Sequence, residues 1–345
     1  MNALKSLLKN ARESIHYFNF NGTHAWITDY GVEMEVQVGE GEPSTPVALP
    51  RQVLLDLLET ADVNLILKDD RVEARGPGFL AQIRTGEGTP PLILSKAEEP
   101  ISRVNGDFVK AVRSALSVGR KHTAYEAKVL VEVGVEEDGV KVVATDGYRL
   151  HIYTLEAEVY REAKLYLPAT ADEALRILPS RGEFLTLYKA WEGNALVVES
   201  PTARVGFNLA APRYPGYQNA IPSQPPEGHI RTPRKDLIQA LKRALVVAER
   251  KNRAVRLTAF QEGVRVEAMD DNFSPISEET LPGEGQGEVY INGNYLMDAL
   301  EEIGRDEAHI ALYSGSRAPL VEVKDERFYA LIAGLRVTED SRGEG

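Results

Sequence analysis

The chain reads as an α+β protein built from three copies of one unit. Three observations predict this: a repeated amphipathic basic helix, a repeated pair of strand-like runs joined by an Asp turn, and a repeated strand–helix–strand element, all at matched spacing. Helical periodicity recurs at residues 2–12, 101–121 and 231–251. In the first segment Leu4, Leu7, Leu8 and Ala11 make an apolar stripe, with Lys5, Lys9 and Arg12 beside it. In the second, Phe108, Val112, Ala115 and Leu116 face inward while Lys110 and Arg113 take another side. In the third, Leu237, Leu241, Leu245 and Ala248 form the stripe, and Lys235, Lys242, Arg243 and Arg250 lie mostly off it.

Strand-like runs follow each helix at 22–38, 139–154 and 263–279. Their turns carry Asp29, Asp146 and Asp270, spaced by 117 and 124 residues. The third element occupies 47–75, 165–200 and 289–315. Its expected helix starts at Pro50, Pro168 and Asn292 are spaced by 118 and 124 residues. Breakers gather near 86–100 and 211–228, which sets the boundaries at 1–95, 96–220 and 221–345, the last ending in a small, polar tail that is expected to fray.

Charge is distributed unevenly. The net charge is −12, but the three helical segments carry +3, +4 and +5, leaving −24 elsewhere. An acidic chain with basic islands can still attract phosphate at the islands. The chain has no cysteine, which excludes disulfides, thiolate catalysis and cysteine-ligated metals. No apolar run approaches the ~20 residues of a membrane span, and the start MNALKSLLKN lacks a secretory core, so a cytoplasmic location and no membrane contact are expected.

No reactive constellation stands out. The six histidines are scattered, and neither a nucleophile elbow nor a phosphate-binding Gly-rich loop occurs. The adjacent acids Asp69–Asp70 and Asp270–Asp271 read more readily as turn formers than as cation ligands; a metal-dependent nuclease or phosphatase using the turn aspartates is the alternative they leave open. The glycines of GEGQGEVY (283–290) read as a hairpin or exposed connection. No metal and no cofactor are expected, and the role is holding rather than converting.

Three stretches carry a resemblance: Thr145-Asp146-Gly147-Tyr148-Arg149-Leu150, then Tyr214-Pro215-Gly216-Tyr217, and the helix start Asn294-Tyr295-Leu296. With the repeats, the chain resembles the bacterial sliding clamp family, the beta subunits of the replicative DNA polymerase. The likeness is specific in the second and third units and weaker in the first. It implies a non-catalytic, head-to-tail homodimeric ring with clamp-type domains, helices lining the inner surface and antiparallel sheets outside. Such a ring would hold double-stranded DNA without reading sequence, and DNA polymerase and clamp loader would dock through short peptide motifs. A clamp-like scaffold that binds partners without encircling DNA is the alternative.

On this reading the DNA-facing residues are Lys5, Lys9, Arg12, Lys110, Arg113, Lys242 and Arg243, with Arg120 and Lys121 on a loop near the duplex. The resemblance assigns the partner-peptide pocket to Thr145, Gly147, Tyr148, Arg149, Leu150, Pro215, Asn219, Ala220, Leu331 and Ala333. Gly147 would tighten the turn and Leu150 supply floor. Arg149 is left with two roles, hydrogen bonding to peptide carbonyls or bracing the turn internally. The chain departs from the family in three places. Its first helix begins almost at Met1, trimming an edge that bears on ring closure; Asn219 and Ala220 replace basic and branched residues; and Ala333, Gly334 and Leu335 stand where the family has methionine, proline and methionine, removing flexible contact surface.

Overall fold

The computed structural model describes residues 2–29, 31–120, 130–210, 216–314 and 318–337. The chain divides into two compact units, one of Met1–Val142 with Leu155–Pro212, the other of Val143–Thr154 with Arg213–Gly345.

Unit 1 holds two helix pairs. Helix α1 (Asn2–Asn10) buries Leu4, Leu7 and Leu8 and packs against α2 (Arg51–Thr60). The exposed carbonyls at the end of α1 are met by one side chain: Arg51 donates from Nε to Leu8 O at 2.7 Å, from Nη2 to Ala11 O at 3.1 Å and from Nη1 to Arg12 O at 3.1 Å. A guanidinium suits this place because the helix C-terminus is both electronegative and short of donors. Helix α3 (Asp107–Arg120) buries Phe108, Val109, Ala111, Val112, Ala115 and Leu116 and packs against α4 (Ala171–Leu175).

A ten-stranded antiparallel sheet runs through unit 1 in the order 157–159, 97–105, 184–190, 195–199, 203–208, 32–37, 24–29, 17–20, 47–50 and 86–87. Strand Ala203–Asn208 pairs with Val32–Gln37 in the register Ala203↔Val36 to Phe207↔Val32, so residues about 170 positions apart in sequence form one ladder. A separate three-stranded sheet runs 64–67, 71–76, 79–84, with Phe79–Arg84 at its edge. Strand Val32–Gln37 alternates apolar and acidic residues, yet Glu33 is fully buried. Its carboxylate accepts from the backbone N–H of Leu92 at 2.7 Å, Ile93 at 2.8 Å and Leu94 at 3.0 Å, and from Thr28 Oγ1 at 3.1 Å. Four donors replace the lost water.

Unit 2 carries the third helix pair, α5 (Arg234–Val247) against α6 (Gly293–Glu302). Its strands follow the order 149–155, 328–333, 320–324, 307–313, 228–233, 284–292, 254–260, 263–269 and 275–281, the last at an edge. Asn292 caps α6, its Oδ1 accepting from the N–H of Asn294 at 3.0 Å and Tyr295 at 3.3 Å.

The α+β class and the repeated sheet–helix plan match the sequence expectation, and the structure refines two local readings. The helix expected at Pro168 begins only at Ala171 and lasts five residues. Beyond it the backbone tightens into three-residue turns, with Arg176, Ile177 and Leu178 donating to Glu173, Ala174 and Leu175, before Pro179 stops it. The glycine-rich stretch is a strand, Glu284–Asn292, rather than a loop. Gly285 has φ of +150°, and a Cβ there would sit 2.1 Å from the His229 carbonyl oxygen, so only glycine lets the neighbouring strand approach. Among the described residues, no helix is long and apolar enough to cross a membrane.

Candidate functional site

The turn after Val143 is built by its own side chains. Thr145 Oγ1 donates to Arg149 O at 2.7 Å and accepts from Gly147 N–H at 3.1 Å. Asp146 Oδ1 accepts from the N–H of Tyr148 and Arg149, each at 3.0 Å, and Gly147 takes a φ of +89° that a side chain would resist. The Arg149 side chain is only 1% exposed. It donates from Nε to Asp146 Oδ2 at 3.0 Å and from Nη1 to Asp298 Oδ2 of α6 at 2.6 Å, and its guanidinium lies 4.3 Å over the Tyr295 ring. Of its two sequence-allowed roles, bracing the turn is the one this geometry builds. Burial, then the Asp146 carboxylate, pushes the Tyr295 hydroxyl up to about 12.

Tyr148 projects outward, 59% exposed, while its carbonyl accepts from Ala333 N–H at 2.8 Å. Below the turn, Leu150 and Leu331 are register partners and join Val143 in a buried apolar floor. Ile152, Tyr217, Ile221, Leu320 and Tyr329 pack around it half-buried. The structure thus brings together Thr145, Gly147, Tyr148, Leu150, Leu331 and Ala333. Asn219 and Ala220 are exposed on the short turn Tyr217–Ala220, whose Tyr217 supplies the packing instead. Pro215 lies outside the described residues. Sequence reasoning missed Tyr217, Ile221, Leu320 and Tyr329. Strand alternation could have found Tyr329, which stands two residues before Leu331 on the same face.

The expected DNA-facing cations lie on α1, α3 and α5 or just beyond, and most have protein partners. Lys5 Nζ donates to Leu58 O at 3.1 Å; Lys9 meets Glu59 at 3.0 Å; Arg12 meets Glu173 at 3.2 Å and Asp29 at 3.3 Å. Arg113 meets Asp172 at 2.9 Å, Lys242 approaches Glu301 at 3.9 Å, and Arg243 holds Glu279 through Nε at 2.9 Å. The hydrogen bonds from Lys9 and Arg243 hold the carboxyls of Glu59 and Glu279 below the ordinary carboxylate range. Lys110 is exposed on α3; Lys121 and the side chain of Arg120 lie outside the described residues. The aspartates close turns: Asp270 Oδ1 accepts from Asn272 N–H at 2.9 Å and Ser274 N–H at 2.8 Å. Among the described residues, no group of three or more acidic or histidine side chains is placed to hold a metal ion.

A family model described as DNA polymerase III beta subunit, C-terminal domain, matches residues 219–336. The "Beta sliding clamp" of Synechococcus elongatus is 25% identical over 315 residues, covering 86% of this chain and 83% of that protein. That of Vibrio cholerae is 24% identical over 324 residues, covering 87% and 84%. Over most of its length the chain is similar to beta sliding clamps. Solved structures agree on the fold: the DNA polymerase III beta subunit from Thermotoga maritima superposes with a TM-score of 0.79 at 16% identity over 98% of both chains. That from Pseudomonas aeruginosa gives 0.77 at 17% identity, covering 97% of this chain and 98% of the other. The aspartates that could have suggested an enzyme, Asp146 and Asp270, close turns in this chain.

Proposed function

We propose that this protein is a sliding clamp, a head-to-tail homodimeric ring of three domains per chain (1–95, 96–220 and 221–345) that encircles duplex DNA without reading sequence. In this role it tethers DNA polymerase and clamp loader by short peptides bound over the Leu150–Leu331 floor. The observation that carries the reading is a pair of open strand edges, one in each unit. Phe79–Arg84 ends the three-stranded sheet of unit 1 with Phe79 and Leu80 exposed, the latter at 55%; Pro275–Leu281 ends the sheet of unit 2 with Ile276 exposed at 49%. A heterologous contact needs two unlike, complementary patches, and these edges offer unpaired backbone, apolar side chains and opposite charges in Arg84 and Glu278. Lys and Arg on α1, α3 and α5 would meet phosphates, which position without specifying.

The test is sedimentation across a wide concentration range, followed by retention on nicked circular DNA. A persistent species near twice 38.1 kDa, together with retention on the circle that is lost when it is linearised, supports the ring. A monomer at every concentration refutes it. A partner-binding scaffold that does not encircle DNA is the second reading, favoured by the carboxylates that already occupy most of the expected cations. It predicts peptide binding with no retention on circles.

A further inference from the structure

The three helix pairs repeat a detail that the individual helices hide. Along each first helix, four buried residues share one spacing, the last of the first set lying just past the end of α1: Leu4, Leu7, Leu8 and Ala11; Phe108, Ala111, Val112 and Ala115; Leu237, Ala240, Leu241 and Ala244. The residue after the third member is a cation each time, Lys9, Arg113 and Lys242. Each of these cations faces an acid on the second helix of its own pair: Glu59 on α2 at 3.0 Å, Asp172 on α4 at 2.9 Å and Glu301 on α6 at 3.9 Å.

The three pairs are not equal. Glu59 and Glu301 are both the ninth residue of their helices, and in both pairs lysine and glutamate are each about half exposed. Asp172 is buried and also holds Arg176 at 3.0 Å, so Arg113 is committed to bracing α3 on α4. The two exposed lysine pairs are free to open, because exposed ion pairs are weak and screened.

We propose that Glu59 and Glu301 tune the DNA-facing surface by competing with phosphate for Lys9 and Lys242; this rests on the DNA-encircling reading. Engagement of either lysine is then an exchange of partners. A phosphate that meets a free lysine sheds about 0.9 of a condensed counterion. A phosphate that takes a lysine from a carboxylate sheds the same counterion but must first open the ion pair, and it leaves an acid beside the duplex, so the gain in affinity is smaller. The surface attracts a duplex without gripping it, which suits a track along which a ring must slide.

The test is fluorescence anisotropy of a short labelled linear duplex between 50 and 200 mM salt, using the full chain as wild type, Glu59→Gln with Glu301→Gln, and Lys9→Gln with Lys242→Gln. The double glutamine variant at the acids should bind about 3- to 30-fold more tightly at 50 mM salt, with the gain shrinking as salt screens the pairs. The lysine variant should bind more weakly, with the slope of log affinity against log salt shallower by about 1.8 per protomer. Both glutamates are half-exposed and glutamine is isosteric, so thermal unfolding should be unchanged. Equal affinities for wild type and the acid variant at 50 mM salt, with retention on nicked circles intact, would overturn the exchange alone. No retention and no anisotropy change in any of the three would overturn the DNA-encircling reading, and the exchange with it.

Discussion

Replacing Arg149 with Met removes a buried cation and leaves its stem. Asp146 would be left with a nearly inaccessible carboxylate, 2% exposed, and no guanidinium on Oδ2, while Asp298 is 21% exposed and regains water. Breaking a buried pair from one side costs about 3–5 kcal/mol, and the loss of stacking on Tyr295 adds about 1 kcal/mol. The two backbone N–H donors still on Asp146 Oδ1 soften the penalty, so a loss of about 3 kcal/mol is expected. Asp298→Asn should cost only about 1 kcal/mol, since the arginine keeps Asp146. Urea unfolding can localise the effect because both tryptophans, Trp26 and Trp191, lie in unit 1. The circular-dichroism transition of unit 2 should fall by about 1–2 M urea while the tryptophan transition stays in place. Arg149→Lys should lie between, lacking the two-armed fork. A loss below about 1 kcal/mol for Arg149→Met, or an equal shift of the tryptophan signal, would refute the brace.

Gly285→Ala should destabilise unit 2 or force strand 284–292 away from 228–233, measurable as lost amide protection along both strands, because its Cβ would collide with the His229 carbonyl. Asn292→Ala should cost about 1 kcal/mol through loss of the α6 cap, read by the same urea transition. Leu80→Asp or Ile276→Asp should convert a sedimenting dimer to monomer without changing the far-ultraviolet spectrum. Tyr295 gives a pH signature: its folded-state hydroxyl is raised to about 12 from the ordinary 10, so its contribution is full below pH 10 and is lost as pH climbs from 10 to 12. Tyr295→Phe should flatten that alkaline decline.

Much of the architecture was legible because it rests on local pattern. The stripe of Leu4, Leu7 and Leu8, the matching stripes in α3 and α5, and the turn aspartates all declare themselves within a dozen residues. What stayed hidden depends on partners distant in sequence. Glu33 sits where strand alternation assigns a solvent face, and only residues 92–94 covering that face make it a buried acceptor. Lys9 and Lys242 were readable as cations, but the acids opposite them lie 50 and 59 residues away. The apolar floor was half legible: Leu150 and Leu331 were visible, whereas Tyr217 and Leu320 reach it only through strand order and a short turn.

The pairing of Val32–Gln37 with Ala203–Asn208 also bears on how the protein is made. During synthesis, strand 32–37 emerges 175 residues ahead of Phe207, the partner of Val32. At about 5–20 residues per second, its outer ladder stays open for roughly 10–35 s. In that interval Val32, Met34 and Val36 border an unpaired edge on the nascent chain, a template for any other strand nearby. A fragment ending at residue 95 keeps that edge permanently, so its solubility is set by the missing neighbour rather than by its own core.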